Sequence, residues 1–485
     1  MATIDEIRKA RLKKLNTIES AGILAYPIST KRTHAIGEAI EGFAKIKKEI
    51  VLAGRLMSLR GHGGLIFGNI EDGTGKIQAM FKKDKLGPRG FKFFTDNFDI
   101  GDFVELKGRL TKTKTGEKTL ETADYKILAK SLLPLPEKWH GLQDAEERFR
   151  KRYLDLIFNK EVKGKFFLKT RIIKELRSFL DSEGFLEVQT PILQPIYGGA
   201  TAKPFKTHLN AQNLDLYLRI SPELYLKRLL VGGFEKVYEL GTCFRNEGID
   251  RAHNPDFTML EFYWAYADYK ELMKFTEEMI TSLLKKLFKK TQIEYDGKKL
   301  NFKTPWPRIE YAELFKKYTN INLDEINEEA LREKAEKLGV QAKGGKFEIA
   351  DEIFKKTIRP KIEQPMFIIH YPSGAFPLAK PLDSNPEKSG SFQLIAAGME
   401  LLKAYSELNN PVLQKEKFQE QERIFKQGFQ EAQRTDSDFI EALEYGMPPA
   451  AGWGLGIDRL SMLLTDSHSA REIILFPTMK QNKNE

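Results

Sequence analysis

ELGTCFRNEGIDRAHNPDFTMLEFY, residues 239–263, decides the architecture of the larger part of this chain. One apolar run ends at Arg245 and Glu247, a polar loop follows, and a second run carries Phe257, Glu261 and Tyr263. Side chains two apart on a strand share a face, so Arg245 goes with Glu247, and Phe257 goes with Glu261 and Tyr263. The stretch predicts two neighbouring strands of a concave sheet that presents a phosphate-binding cation, an acceptor and an aromatic platform. A plain hairpin with exposed charges accounts for the alternation, but not for so many functional groups on core-like strands.

Downstream, GMELLKAYSELNNP (398–411) sets Glu400 and Glu407 among apolar residues. Carboxylates placed there need a cation or metal as partner. In GMPPAAGWGLGIDRLSMLL (446–464) small residues permit close backbone approach, and Arg459 falls in the first turn of an apolar helix, a position suited to a terminal phosphate. Upstream, Phe166, Phe167, Ile172, Ile173, Leu176, Phe179 and Leu180 recur at helical spacing, with Gly184 as the stop. Residues 269–346 are mostly charged helical pattern, read as solvated packing. No G-x-x-x-x-G-K-[ST] loop and no G-x-G-x-x-G turn opens a helix, so any bound ATP is held by another device.

The chain has 485 residues, too many for one ordinary core, and divides by pattern into four parts. Residues 1–45 read as a basic helical arm with Ile7, Leu12, Leu15 and Ile18 as its apolar face. Residues 46–135 hold five short alternating strands parted by turns such as Asp72-Gly73 and Thr115-Gly116, the pattern of an OB-type barrel. Such a barrel either binds single-stranded nucleic acid on its strand face or simply packs. Residues 136–160 read as a linker whose ERFRKR cluster faces either solvent or phosphate, and residues 161–485 as the large α+β domain.

A hydrophobic fraction of 41% with 30% charged residues fits a globular protein, and no apolar run is long enough to cross a bilayer. The first residues lack the features of a secretory signal, so a cytoplasmic location is expected. A single cysteine, Cys243, and 7 scattered histidines leave no zinc cluster to draw, so any metal is expected to be a hard, oxygen-bound ion. The net charge of +10 permits a polyanionic partner without requiring one.

Three segments in order, TPIL (190–193), FRNEG…HNPDFTMLEFY and GLGIDRL, resemble motifs 1, 2 and 3 of class II aminoacyl-tRNA synthetases. HGLQDAEERFRKRYLDL, GGATAKPF, RISPELYLKRLLVGGFEKVYELG and AYSELNNP look like the lysine-specific branch of that family. The resemblance implies a class II antiparallel sheet flanked by helices behind an anticodon-binding OB domain. The implied activity is ATP-dependent conversion of L-lysine to its adenylate, followed by transfer to the 3′ end of tRNA(Lys), by a homodimer joined at the long helix and the Pro191 strand.

It further implies that Arg245 contacts the lysine carboxylate and the α-phosphate, and that Glu247, His253 and Asn254 hold ATP. Phe257 and Arg459 would sandwich the adenine, with Arg459 also facing the γ-phosphate, and Glu400 would help to hold Mg²⁺. Glu261, Glu407 and Tyr263 would receive the lysine ammonium, Glu223 the α-amino group, and Gly199 and Tyr405 would complete the amino-acid site. In the barrel, Phe67 and Gln78 would stack and hydrogen-bond the anticodon with Arg60 and Arg55 nearby, although Phe67 is equally suited to filling the barrel.

Four positions depart from the family pattern. Gln393 stands where a second Mg²⁺-binding glutamate is expected, Lys403 where asparagine is usual, Phe376 where a small residue is usual, and Ala252 in place of an arginine, with Arg251 beside it. Lys403 would either pair with the substrate carboxylate or repel the substrate ammonium. Rival readings are an aspartate or asparagine enzyme, which calls for a cationic pocket, a relative that lysylates protein, and a non-catalytic tRNA-binding paralogue.

Overall fold

A computed structural model describes residues 3–136, 144–251, 253–341, 344–426 and 431–480. Two compact units divide between residues 143 and 144.

The first unit is a closed five-stranded barrel with strands β1 (Ile50–His62), β2 (Leu65–Glu71), β3 (Lys76–Lys82), β4 (Phe103–Lys112) and β5 (Lys118–Ala129) in the order β1-β2-β3-β5-β4. Alternation sends Leu52, Leu56, Ile70, Val104 and Leu106 into the barrel core. Helix α1 (Ile4–Ser20) opens with a capping box between Thr3 and Glu6 and lays Leu15 and Ile18 on that core. It is anchored by a charged residue as well: Arg11 is buried and donates to the carbonyls of Ile100, Ser131 and Leu133. The remainder of the expected arm is an extended stretch and a short helix, Ile36–Glu41, so the arm is not one helix.

In the second unit, residues expected as linker form two short helices, Ala145–Arg150 and Arg152–Phe158. Much of their basic cluster is internally paired. Arg152 is fully buried, bonded to Asp155 and to the carbonyls of Arg471 and Leu475, while Arg148 pairs with Asp155. Helix α2 (Lys160–Ser182) follows and ends at Gly184, whose φ of 81° suits glycine after a helix.

An eight-stranded sheet forms the centre. Its strands are β6 (Leu186–Glu187), β7 (Lys236–Phe244), β8 (Asp256–Ala265), β9 (Arg308–Glu310), β10 (Met366–Ile369), β11 (Ser391–Ala396), β12 (Met399–Ser406) and β13 (Ala450–Gly456), in spatial order β9-β10-β11-β12-β13-β8-β7-β6. The six inner strands run antiparallel to their neighbours, and the two edges, β9 and β6, pair in parallel.

The period of two separates core from site. Leu260, Phe262, Leu402, Ala404, Trp453 and Leu455 pack with α2, α3 (Tyr269–Phe288) and α4 (Ile457–Leu464) on one face. Their intervening neighbours, such as Glu261, Tyr263, Lys403, Tyr405, Gly452 and Gly454, line a cavity on the other face. Phe262 stacks on Trp453 at 4.9 Å, and the Trp453 indole donates to Thr276 of α3 at 2.9 Å, which fixes the sheet on its helix layer. The segment after α3, read as solvated helices, also contains a hairpin, Gln292–Tyr295 and Lys298–Asn301.

Candidate active site

The cavity has a volume of 880 Å³ and brings together Gly199, Glu223, Arg245, Glu247, His253, Asn254, Phe257, Glu261, Tyr263, Gln393, Glu400, Tyr405 and Arg459, every residue expected there except Glu407. Glu407 lies just behind its wall. A Cβ on Gly452 would come within 2.1 Å of Glu407 Oε1 and 2.5 Å of Tyr263 Cε1, so the glycine leaves the room these side chains occupy. Gly199 is held by two constraints, a φ of 84° and a Cβ position 2.8 Å from both Ser221 Oγ and Glu223 Cβ.

One end of the cavity is acidic and buried. Glu223, Glu261 and Glu407 are each at most 4% exposed. Ser221 donates to Glu261 Oε1 at 2.8 Å, Tyr263 to Glu261 Oε2 at 3.1 Å, and Tyr405 to Glu223 Oε1 at 2.7 Å. Lys227 sits one helical turn after Glu223, with its ammonium 2.7 Å from Glu223 Oε1 and ion-paired with Glu407. Three carboxylates against one fixed cation leave an electrostatic deficit. Burial, and next the charge of Glu223, push the Glu261 carboxyl up to about 8. Burial also drives Glu407 well above the carboxylate range despite the opposing pull of Lys227, and raises the hydroxyls of Tyr263 and Tyr405. Such a pocket is built to receive a further cation that hydrogen-bonds to carboxylates and hydroxyls.

The other end is cationic and aromatic. Arg245 leaves β7 with its N–H on the Pro255 carbonyl, 2.8 Å away, and its guanidinium lies 4.9 Å from the centroid of the Phe257 ring. Arg459, in the first turn of α4, meets His253 Nε2 at 2.9 Å and the Glu400 carbonyl at 3.1 Å, while Asp250 holds the other side of the His253 ring. The Asn254 side chain donates to Asp256 and so shapes the loop. Ala252 lies outside the described residues; Arg251 is exposed and is not among the lining residues.

Glu400 remains ionised because four cations, Arg459 first, then Lys403, Arg359 and Lys355, outweigh its burial and hold its pKa below the ordinary value. One carboxylate together with nucleotide phosphates is a donor set that holds Mg²⁺, so Glu400 fits that ion. Gln393 does not fit a second one. Its amide is neutral, and its Oε1 accepts from the Tyr371 hydroxyl at 2.7 Å. Among the described residues no three His, Cys, Asp or Glu side chains are grouped for a metal.

Several residues in the lining or just behind it escaped the sequence reading. Lys227 was detectable as an i,i+4 partner of Glu223 on one helix. Ser221 and Tyr371 carried no local signal, because their roles depend on residues 40 and 22 positions away. Arg332 and Glu336, within residues 269–346, line the cavity, which the reading of that stretch as solvated packing did not foresee, and Phe347, Asp351 and Lys355 just beyond it extend the same wall.

In the barrel, Ile66 packs on the core while Phe67 lies on the opposite, partly exposed face of β2, with exposed Arg60 as its cross-strand partner. Gln78 is 6% exposed, and its carbonyl accepts from Thr119 at 3.0 Å. Arg55, expected as a nearby cation, is committed elsewhere: it donates to the Gly101 carbonyl and stacks on Phe103 at 4.2 Å.

An antiparallel sheet backed by helices, with an arginine and an aromatic on its central strands and a glycine-rich strand leading into an arginine-bearing helix, defines a class II synthetase core. Residues 144–480 match the family described as tRNA synthetases class II (D, K and N), and residues 50–135 match the OB-fold nucleic acid binding domain. The chain belongs to the class II tRNA synthetases of the D, K and N group. Its relatives include the lysine–tRNA ligases of Carboxydothermus hydrogenoformans, 47% identical over 98% of both chains, and of Moorella thermoacetica, with the same identity and coverage. That of Aquifex aeolicus is 49% identical over 90% of this chain and 74% of its own length.

Proposed function

We propose that this protein activates L-lysine with ATP and transfers the lysyl group to the 3′ end of tRNA(Lys). The observation that carries the reading is the buried set of Glu223, Glu261 and Glu407 with the Tyr263 and Tyr405 hydroxyls at one end of the cavity. An aspartate or asparagine site would need fixed cations where these carboxylates stand.

In this scheme the substrate ammonium lies against Glu261, Tyr263 and Glu407, and Glu223 with Tyr405 and the Gly199 backbone holds the α-amino group. Arg245 draws the substrate carboxylate and the α-phosphate together, and Phe257 and Arg459 clasp the adenine, with His253 orienting Arg459. A carboxylate oxygen attacks the α-phosphorus, the bond from phosphorus to the bridging oxygen breaks, and pyrophosphate leaves with that electron pair. Like charges approach in this step, so the cations do most of the work and no side-chain acid or base is required. Mg²⁺, held by Glu400 and the nucleotide, would supply further neutralisation of phosphate charge.

The barrel would read the anticodon, with the Phe67 ring as a stacking platform and Arg60 beside it. Exposed apolar side chains along and beside α2, namely Phe167, Leu186, Ile192 and Leu193, support a homodimer joined there. Among the described residues no helix is long and apolar enough to cross a membrane, in keeping with work in the cytoplasm. Exchange of labelled pyrophosphate into ATP, run with each of the twenty amino acids, tests the reading. Exchange with lysine alone supports it, exchange with another amino acid transfers the pocket to that substrate, and no exchange returns the chain to a non-catalytic role.

A further inference from the structure

Three of the four residues that set this chain apart from the family pattern, Gln393, Lys403 and Phe376, are scattered in sequence and contiguous in space. Gln393 on β11 is the cross-strand partner of Lys403 on β12. The Lys403 ammonium lies 4.2 Å from the centroid of the Phe376 ring, which packs against the ring of Tyr371 at 5.0 Å. Tyr371 closes the circuit with its hydroxyl on Gln393 Oε1. Among the described residues the Lys403 ammonium has no ion-pair or hydrogen-bond partner, yet it lines the cavity together with Arg245, Glu400 and Arg459.

A half-buried ammonium held over an aromatic face, in the field of Glu400, is placed to meet a further anionic group in the cavity. Charge arithmetic says what it replaces. Glutamine in place of glutamate removes one negative charge, and lysine in place of asparagine adds one positive charge. The change amounts to the charge of one divalent cation, delivered where Gln393 is a neutral, weaker ligand already engaged by Tyr371. The Phe376 ring steadies the ammonium over its face.

We propose that Lys403 takes the place of one divalent cation at the reacting centre, so that the site works with a single Mg²⁺ on Glu400 and the nucleotide. The ammonium meets the oxygens of the α-phosphate and the substrate carboxylate as they approach. The proposal rests on the adenylation reading above and concerns the same site.

Bound Mn²⁺, counted by electron paramagnetic resonance with a non-hydrolysable ATP analogue, tests it directly and needs no turnover. About one Mn²⁺ per site is expected in the native protein, and about two in the double variant Gln393→Glu with Lys403→Asn. Two or more in the native protein, or an unchanged count in a folded double variant, would overturn the proposal. The native count decides alone should the variant fail to fold.

In lysine-dependent exchange, Lys403→Asn alone should lower kcat roughly 100-fold with little change in KM for ATP, as for loss of one donor to a developing charge. Raised Mg²⁺ should restore the double variant but not the single one. A single variant with native kcat refutes the idea, as does one that Mg²⁺ rescues. If lysine supports no exchange at all, the adenylation reading fails, while the Mn²⁺ count still reads the metal number separately.

Discussion

Lys227 is a fully buried lysine whose ammonium lies 2.7 Å from Glu223 Oε1, and its other side ion-pairs with Glu407. In the proposed function, the pocket for the substrate cation is thus organised around a resident one. Lys227 is shared between Glu223 and Glu407, and in the proposed function their remaining oxygens are left to the substrate.

Replacing Lys227 by Met should therefore cost about 3–5 kcal/mol, since it strands two buried carboxylates. Urea denaturation followed by a probe in the second unit reads the loss. Adding Glu407→Gln to Lys227→Met should recover part of the stability, because one of the stranded charges is then gone. Equal midpoints for the single and double variants would show that the charge network is not the cause.

Lysine binding should depend on pH through Glu261. Its carboxyl is pushed up to about 8 from an ordinary value of 4.5, so the ligand-free folded protein holds a proton that the unfolded chain releases between those two pH values. The stability contributed by this group is present below about pH 4.5 and is lost progressively as pH rises to about 8. An arriving ammonium favours the ionised carboxylate, so lysine binding near neutral pH should release a proton. Calorimetry in buffers of different ionisation enthalpy measures it. Glu261→Gln should reduce the release and weaken lysine binding by about 3–5 kcal/mol.

Gly452→Ala should remove lysine-dependent exchange while leaving ATP binding in place. The added methyl would stand 2.1 Å from Glu407 Oε1 and 2.5 Å from the Tyr263 ring, both in the amino-acid end of the cavity. Fluorescent ATP-analogue binding beside lysine titration separates the two effects. Loss of both ligands together would point to a disrupted sheet instead.

Phe67→Ala should raise KM for tRNA without altering pyrophosphate exchange, which needs no tRNA. Loss of one stacked base is worth roughly 1–3 kcal/mol, about 5-fold to 150-fold in affinity. Because Phe67 lies on the face opposite Ile66 and outside the packed interior, barrel stability should change little. A large drop in melting temperature with unchanged aminoacylation kinetics would mean that the ring serves packing.

Local pattern determined a great deal of this molecule. Period-two alternation marked the barrel strands and the pair β7 and β8, and helical spacing marked α2, because a strand or helix must sort its apolar residues to one side whatever surrounds it. The family resemblance named the members of the cavity: twelve of the expected side chains and Gly199 line it, and Glu407 stands just behind. Pairings across long sequence distances were decided only by the tertiary structure. Nothing local joins Ser221 to Glu261, Tyr405 to Glu223 or Arg459 to His253, since strand order sets those neighbours. The same holds for Gln393, Lys403 and Phe376, which read as three separate oddities until the register of β11 against β12 placed them in one cluster. The charged stretch after α3 is the reverse case. Its polarity looked like a solvated surface, and only its position beside the sheet turned Arg332 and Glu336 into a cavity wall, because charge alone does not say whether water or a ligand faces it.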